Sequence, residues 1–196
     1  RDVAYSTILK SNKKILHSAV AEIIEENFSD KLDLFYFDLA IHYDISEKHD
    51  QAIKFLSLAG EKNIIVSDYV HAEQCFNRLI DIISNNKPYS DSLNSFESPD
   101  ISDGDKSVIK TYIESKKNLG KIYLNIGKWD LGIEILEDVL NKLKHIDWMI
   151  ELEINFTLGK IYNLKRMNDK SKSYFMTCLS LSKEHKDKLN YAYTIG

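Results

Sequence analysis

Residues Leu119 to Leu140 read LGKIYLNIGKWDLGIEILEDVL, and the spacing inside this stretch decides the fold. Counting Leu119 as position 7 puts Gly120 at 8, Tyr123 at 11, Gly127 at 15, Trp129 at 17, Gly132 at 20, Leu136 at 24 and Val139 at 27. Apolar residues recur at helical intervals on both sides of Gly127, and a solitary Gly between two such runs marks a turn. Two helices therefore fold back on each other here. The small residues Gly120 and Gly132 stand where their backbones must come close.

The same spacing returns along the chain. Ala40, Tyr43, Ala52, Leu56 and Ala59 occupy positions 8, 11, 20, 24 and 27 of an earlier copy. A second copy overlaps it, with Gly60, Ala72, Phe76 and Leu79 at 8, 20, 24 and 27 and its turn at Ser67-Asp68-Tyr69. A last copy places Leu158, Gly159, Tyr162, Ser171, Phe175 and Cys178 at 7, 8, 11, 20, 24 and 27. The series resembles the tetratricopeptide repeat (TPR), a helix–turn–helix unit of about 34 residues. Gly120 to Gly159 spans 39 residues and Gly159 to Gly196 spans 37, so longer helices or turns must absorb the excess. The resemblance implies an all-α fold, a right-handed α-solenoid of TPR-like antiparallel helix hairpins. The helix from Gln51 to about Val66, shared by the overlapping copies, then packs on both the helix before it and the helix after it.

Composition agrees with helices that run almost unbroken. The 196 residues hold only seven Gly and two Pro, and both prolines, Pro88 and Pro99, fall in one stretch. That stretch, SNNKPYSDSLNSFESPDISDGDK from Ser84 to Lys106, loses all periodicity and is rich in Ser, Asp and Asn. The expected organisation is thus an N-terminal helical block over 1–84, an acidic and polar linker or insertion over 85–106, and a C-terminal block of hairpins over 107–196. A regulatory segment phosphorylated at Ser90, Ser92, Ser95 or Ser98 is the alternative reading of the middle. The chain starts at Arg1 without a Met and stops at Ile195-Gly196, again positions 7 and 8, so a piece of a longer polypeptide is expected.

In the first block, Asp2 to Leu9 can form a short helix, and Ser11 or Asn12 can cap a longer one to about Asn27. Ile15, Leu16, Val20, Ile23, Ile24 and Phe28 make its apolar stripe, which must pack on something, while Lys13, Lys14, Glu22, Glu25 and Glu26 take the wet side. Leu32 to Ile45 reads as the next helix. In the second block one helix should run to about Asn125, the next from Lys128 to about Lys144, a third from a cap at Asp147 to about Leu164, and a fourth from Asp169 to near His185. Position 17 holds His49, Tyr69, Trp129 and Asn168, and a ring there can seal the turn.

Chemistry-bearing patterns are scarce. The six histidines include no His-Glu-x-x-His, and His42 with His49 is a poor metal pair. The glycines are solitary and periodic, not clustered into a phosphate-cradling loop. Pairs such as Glu25-Glu26 and Glu151/Glu153 read as solvated helix faces. No catalytic residue, cofactor or metal is expected. Cys75 and Cys178 sit at packing positions and read as buried thiols of a reducing, cytoplasmic compartment. A net charge of −4 with three arginines argues against nucleic acid, and no apolar run approaches the ~20 residues of a membrane span.

A surface is what such a fold offers. By the TPR resemblance, the first helix of each hairpin lines a groove with positions 2, 5, 9 and 12. These are Glu114, Lys117, Lys121 and Leu124 on one helix and Glu153, Phe156, Lys160 and Asn163 on the next. The candidate peptide groove is therefore Lys117, Lys121, Leu124, Phe156, Lys160 and Asn163, suited to an acidic, partly apolar peptide. The carboxylate-clamp type of TPR domain needs further cations and Asn, where this chain has Thr157, Asn190 and Thr194, so that subclass is disfavoured.

A second resemblance covers residues 3 to about 80. DVAYSTILKSNKKILHSAVAEIIEE, then LAIHYD, QAIKFLSLAGEK and HAEQCF, with Leu16-His17, Leu39-Ala40-x-x-Tyr43 and Ala59-Gly60-Glu61, resemble the helical region downstream of the ATPase module in STAND-type signalling proteins and soluble-type class III nucleotidyl cyclases. The chain carries none of the ATP-binding or cyclase motifs. The resemblance thus implies a sensing or docking arm whose partner is a protein or peptide, either separate or another domain of the same polypeptide.

Overall fold

The structure is a computed structural model and describes residues 10–94, 102–142 and 147–185. Among the described residues there is helix and turn and no strand. The chain divides into two compact units, Arg1–Asn85 and Asn86–Gly196.

The first unit contains α1 (Lys10–Asn27), a 3-10 turn (Ser29–Leu34), α2 (Tyr36–Ile45), α3 (His49–Ile65) and α4 (Tyr69–Asn85), each helix packed on the next. Helix α3 touches both α2 and α4 as its shared copies require, burying Ala52, Leu56 and Ala59 along with Phe55 and Gly60. The second unit contains α5 (Tyr89–Asn94), α6 (Asp103–Asn125), α7 (Trp129–Lys142), α8 (Trp148–Leu164) and α9 (Asn168–Glu184). Here the first helices α6 and α8 also pack directly on each other, and Ile109, Ile113, Leu136, Val139, Ile154 and Leu158 fill the core between them and α7.

Why small residues recur at position 8 is visible at atomic distance. A Cβ built on Gly60 would lie 2.6 Å from the Phe76 ring, one on Gly120 2.5 Å from Leu136, and one on Gly159 2.7 Å from the Phe175 ring. In each case the intruding side chain is position 24 of the same hairpin, a knob resting on bare backbone. Ala40, buried beside Leu56 in the sequence count, fills the corresponding place. Ser171 reinforces the last hairpin by donating from its hydroxyl to the Gly159 carbonyl at 2.9 Å.

The turns share one backbone solution. Position 15 is left-handed in all four hairpins: Glu47 (φ 61), Ser67 (φ 59), Gly127 (φ 77) and Arg166 (φ 58). Just beyond it the chain closes the preceding helix, with Lys48 N–H donating to Tyr43 O at 2.9 Å, Asp68 to Asn63 O at 2.8 Å and Met167 to Tyr162 O at 2.9 Å. These six-to-one bonds satisfy carbonyls that a helix end otherwise leaves open. Only one of the four positions is glycine, so three side chains are held in a conformation that disfavours them.

Three expectations are corrected. Helix α1 is already under way at Lys10, so Ser11 and Asn12 do not cap it; Asp2 to Leu9 lie outside the described residues. The helix expected over 32–45 is two elements, because Phe35 (φ −114, ψ 6) separates the end of the 3-10 turn from α2, and the turn itself is kinked at Lys31 (φ −134, ψ 27). Helix α1 also docks mainly through the side read as wet, while of its stripe Val20 and Ile24 are half-buried and Phe28 meets Phe35. It meets α2 and the following turn through Lys14 with Glu47, His17 with His42, Glu22 with Lys48 at 2.7 Å and Glu25 with the Tyr43 hydroxyl, around the buried Ala21. Ile15 (69% exposed), Leu16 and Ile23 (55%) face outward. Periodicity identifies an apolar face; the partner decides which face docks.

In the stretch read as linker, Tyr89–Asn94 form a short helix and α6 starts at Asp103, capped by Ser102, whose hydroxyl accepts from Asp105 N–H at 3.1 Å. Ser92 is buried and donates to the Asp105 carboxylate, which removes it as an accessible modification site. Ser95 and Ser98 lie outside the described residues.

Candidate functional site

The candidate groove is built on the adjoining first helices α6 and α8. Spacings of four and three put Lys117, Lys121 and Leu124 on one face of α6, and spacings of three, four and three put Glu153, Phe156, Lys160 and Asn163 on one face of α8. Buried rows behind them hold the two faces side by side: Ile113, Leu119, Gly120 and Tyr123 on α6, and Ile154, Leu158, Gly159 and Ile161 on α8.

The two faces join at a carboxylate. Glu153 Oε2 accepts from Lys117 Nζ at 2.9 Å and from Lys121 Nζ at 2.6 Å, so one oxygen holds two ammoniums from the neighbouring helix. The Lys117 side chain is only 13% exposed, while Lys121 and Glu153 remain open to solvent at 41% and 38%. Partial burial pushes the Glu153 pKa up, but the two cations outweigh it and hold the carboxyl below its ordinary value. From the sequence alone Glu153, paired with Glu151, reads as part of a solvated helix face. The available signal was its place: position 2 of one first helix, opposite positions 5 and 9 of the previous one, carries the complementary charge.

One turn along α8, the Lys160 ammonium lies 5.4 Å from the centre of the Phe156 ring, a cation–π placement that leaves the lysine exposed. Phe156 in turn sets its edge against Phe175 of α9, ring centres 5.7 Å apart. Asn163 is exposed at the far end. Leu124 is half-buried and packs partly against the core, so it contributes an apolar floor more than a protruding contact. All six expected groove residues thus fall on the two adjoining helices, with Lys117 sunken and Leu124 shared with the core. Behind them Lys116 pairs with Asp138 of α7 at 2.6 Å, fixing α6 on α7. Thr157 is buried and donates to the Glu153 carbonyl at 2.8 Å, so it faces no ligand; Asn190 and Thr194 lie outside the described residues.

Elsewhere the first unit holds a feature the sequence did not reveal. His17 Nδ1 and His42 Nδ1 are 2.7 Å apart, across α1 and α2. Burial, then the His42 ring and Lys13, lower the His17 pKa from its ordinary value of 6.5. No group of three or more His, Cys, Asp or Glu side chains among the described residues is arranged to hold a metal ion. Cys75 and Cys178 are buried free thiols, pushed by burial to about 11 and about 12. Among the described residues no helix is long and apolar enough to cross a membrane.

Residues 152–185 match the family model of the tetratricopeptide repeat. In the count that puts Gly159 at position 8, this span begins at position 1 and ends at position 34, so the match shares the register of the knob contacts and the αL turn. No curated protein matches the chain.

Proposed function

We propose that this chain is a non-catalytic interaction module that receives an acidic, partly apolar peptide along α6 and α8, over Lys117, Lys121, Leu124, Phe156, Lys160 and Asn163. Helical-repeat folds with a tetratricopeptide match commonly mediate contacts between proteins, and folds of this type are typically not enzymes. The observation that carries the ligand class is the convergence of two lysines on one carboxylate oxygen. A carboxylate already sits there at hydrogen-bonding distance, and Lys160 and Phe156 continue the same line with a cation and a ring. Reversing all three lysines (Lys117→Glu, Lys121→Glu, Lys160→Glu) should abolish capture of an acidic peptide. Undiminished affinity in that variant removes the proposal.

The module is read as part of a larger signalling protein, an ATPase, kinase or nucleotidyl cyclase. The support is the likeness of residues 3 to about 80 to helical regions downstream of STAND-type ATPase modules. Its partner is then a protein, either a separate one or another domain of the same polypeptide, in the cytoplasm; the acidic balance of the chain disfavours nucleic acid. A free-standing adaptor with the same groove is the second reading. Sequencing the transcript upstream separates them: an ATP-binding motif supports the larger protein, and a start codon directly before Arg1 supports the adaptor.

A further inference from the structure

We infer that Glu153 is an internal competitor for the groove: its carboxylate occupies the Lys117–Lys121 pair in place of the partner's, and sets how tightly an acidic segment binds. The inference rests on the acidic-peptide reading and adds the regulation of that same site. Both ammoniums point at a single oxygen, Glu153 Oε2, at 2.9 and 2.6 Å. Each ammonium has three N–H donors, so an incoming carboxylate meets the same two lysines beside a carboxylate already bound to them, and that sharing costs like-charge repulsion. Glu153 is 38% exposed and lies on an outward helix face, so it can give way toward water as the ligand arrives.

Charge sets the direction of the effect. With Glu153 ionised, the cluster of Lys117, Lys121, Lys160 and Glu153 carries two net positive charges; with Glu153 neutral it carries three. Lys117 is the side chain most affected, because it is largely withdrawn from water and, among the described residues, its acidic partner is Glu153. A groove stripped of that carboxylate therefore gains in attraction for an acidic ligand and loses a rival. The neighbouring Glu151 lies on the same helix without a lysine on its carboxylate in the contacts described, and serves as the comparison for net charge alone.

The experiment titrates the full chain against a fluorescein-labelled peptide of six glutamates interrupted by one phenylalanine, by anisotropy, with a glutamine-for-glutamate peptide as control. Glu153→Gln should bind the acidic peptide about tenfold tighter than the wild type, with a steeper salt dependence, while Glu151→Gln changes affinity less than about twofold. Adding Lys117→Ala and Lys121→Ala to Glu153→Gln should erase the gain. Equal or weaker binding by Glu153→Gln, while the triple lysine reversal still abolishes wild-type binding, overturns the competitor role and leaves the groove reading standing. Equal tightening by Glu151→Gln, or equal tightening toward the glutamine peptide, overturns it as well. If neither wild type nor Glu153→Gln binds the acidic peptide, both readings fall. Circular dichroism of each variant keeps unfolding apart from loss of affinity.

Discussion

The two units use one hairpin grammar and dress its open face differently. At positions 2, 5, 9 and 12 of α6 the second unit carries Glu114, Lys117, Lys121 and Leu124. The corresponding places around α2 in the first unit are Leu34, Phe37, Ile41 and Asp44, with Leu34 64% and Phe37 39% exposed. Asp44 is engaged by Arg78 of α4 at 2.7 Å. One face is therefore cationic and countered by its own carboxylate, the other apolar and closed by an arginine. Small residues at position 8 and large ones at 24 specify the stack, while positions 2, 5, 9 and 12 lie outside that contact and carry different chemistry in the two units.

The widest separation between the units is expected in binding. Reversal of Lys117, Lys121 and Lys160 should weaken an acidic peptide by about a hundredfold or more, since like charges in a shared groove cost several kcal/mol. Leu34→Ser with Phe37→Ser should leave that affinity unchanged, read by the same anisotropy titration. Loss in both variants would mean that the acidic ligand does not distinguish the units.

Packing gives the next largest effect. Gly60→Ala and Gly120→Ala would each drive a methyl into a fully buried side chain, Phe76 or Leu136, and should destabilise by about 1–3 kcal/mol. Alanine ordinarily favours a helix over glycine by about 1 kcal/mol, so the sign of the effect decides the matter. Thermal unfolding followed by circular dichroism should show a lower midpoint for both. A rise in either would break the claim that position 8 is a contact point.

A smaller, pH-dependent difference belongs to the first unit. The His17 pKa is lowered in the folded chain by burial, His42 and Lys13, so below about 6.5 the unfolded chain takes up the proton more readily. The contribution of the neutral ring is present above that pH and is lost as pH falls toward the folded value. Melting temperature should therefore decline from pH 7.5 to 5.5, and His17→Gln should flatten the decline. Lys14–Glu47, Glu22–Lys48 and the Glu25–Tyr43 bond face the histidines from α1, α2 and the turn after it, and the single variant isolates the ring from them.

The smallest effects are stabilising ones. Ser67→Gly and Arg166→Gly relieve a left-handed backbone and should each add up to about 1 kcal/mol, less what glycine loses through a freer unfolded chain. Urea midpoints resolve shifts of this size.

The hairpins were legible because their signals are local: Gly120 and Leu136, or Gly159 and Phe175, lie within one helix–turn–helix and obey one spacing. Helices α8 and α9 fall within a residue or two of their expected ends, and Asp147 caps α8 as expected, accepting from Met149 N–H at 2.9 Å. What stayed hidden involves pairs that no period connects. His17 and His42 meet across 25 residues, and Glu153 reaches Lys117 and Lys121 across helices separated by α7. The outward stripe of α1 misled for a related reason, since amphipathicity reports hydrophobicity and not the chemistry of the surface met. The placement of Lys117, Lys121, Phe156 and Lys160 on two adjoining first helices was legible, and the carboxylate of Glu153 between the two lysines of α6 was not.

The knob contacts limit where this chain can change length. Residues 60 to 76, 120 to 136 and 159 to 175 stand at one constant interval, with the left-handed residue seven places after each glycine. One residue inserted between knob and socket would turn the second helix by about 100° and carry Phe76, Leu136 or Phe175 off the bare backbone it rests on. Insertions and deletions are thus tolerable only between hairpins, and lineages of this protein should differ in length at those junctions while each hairpin is inherited whole.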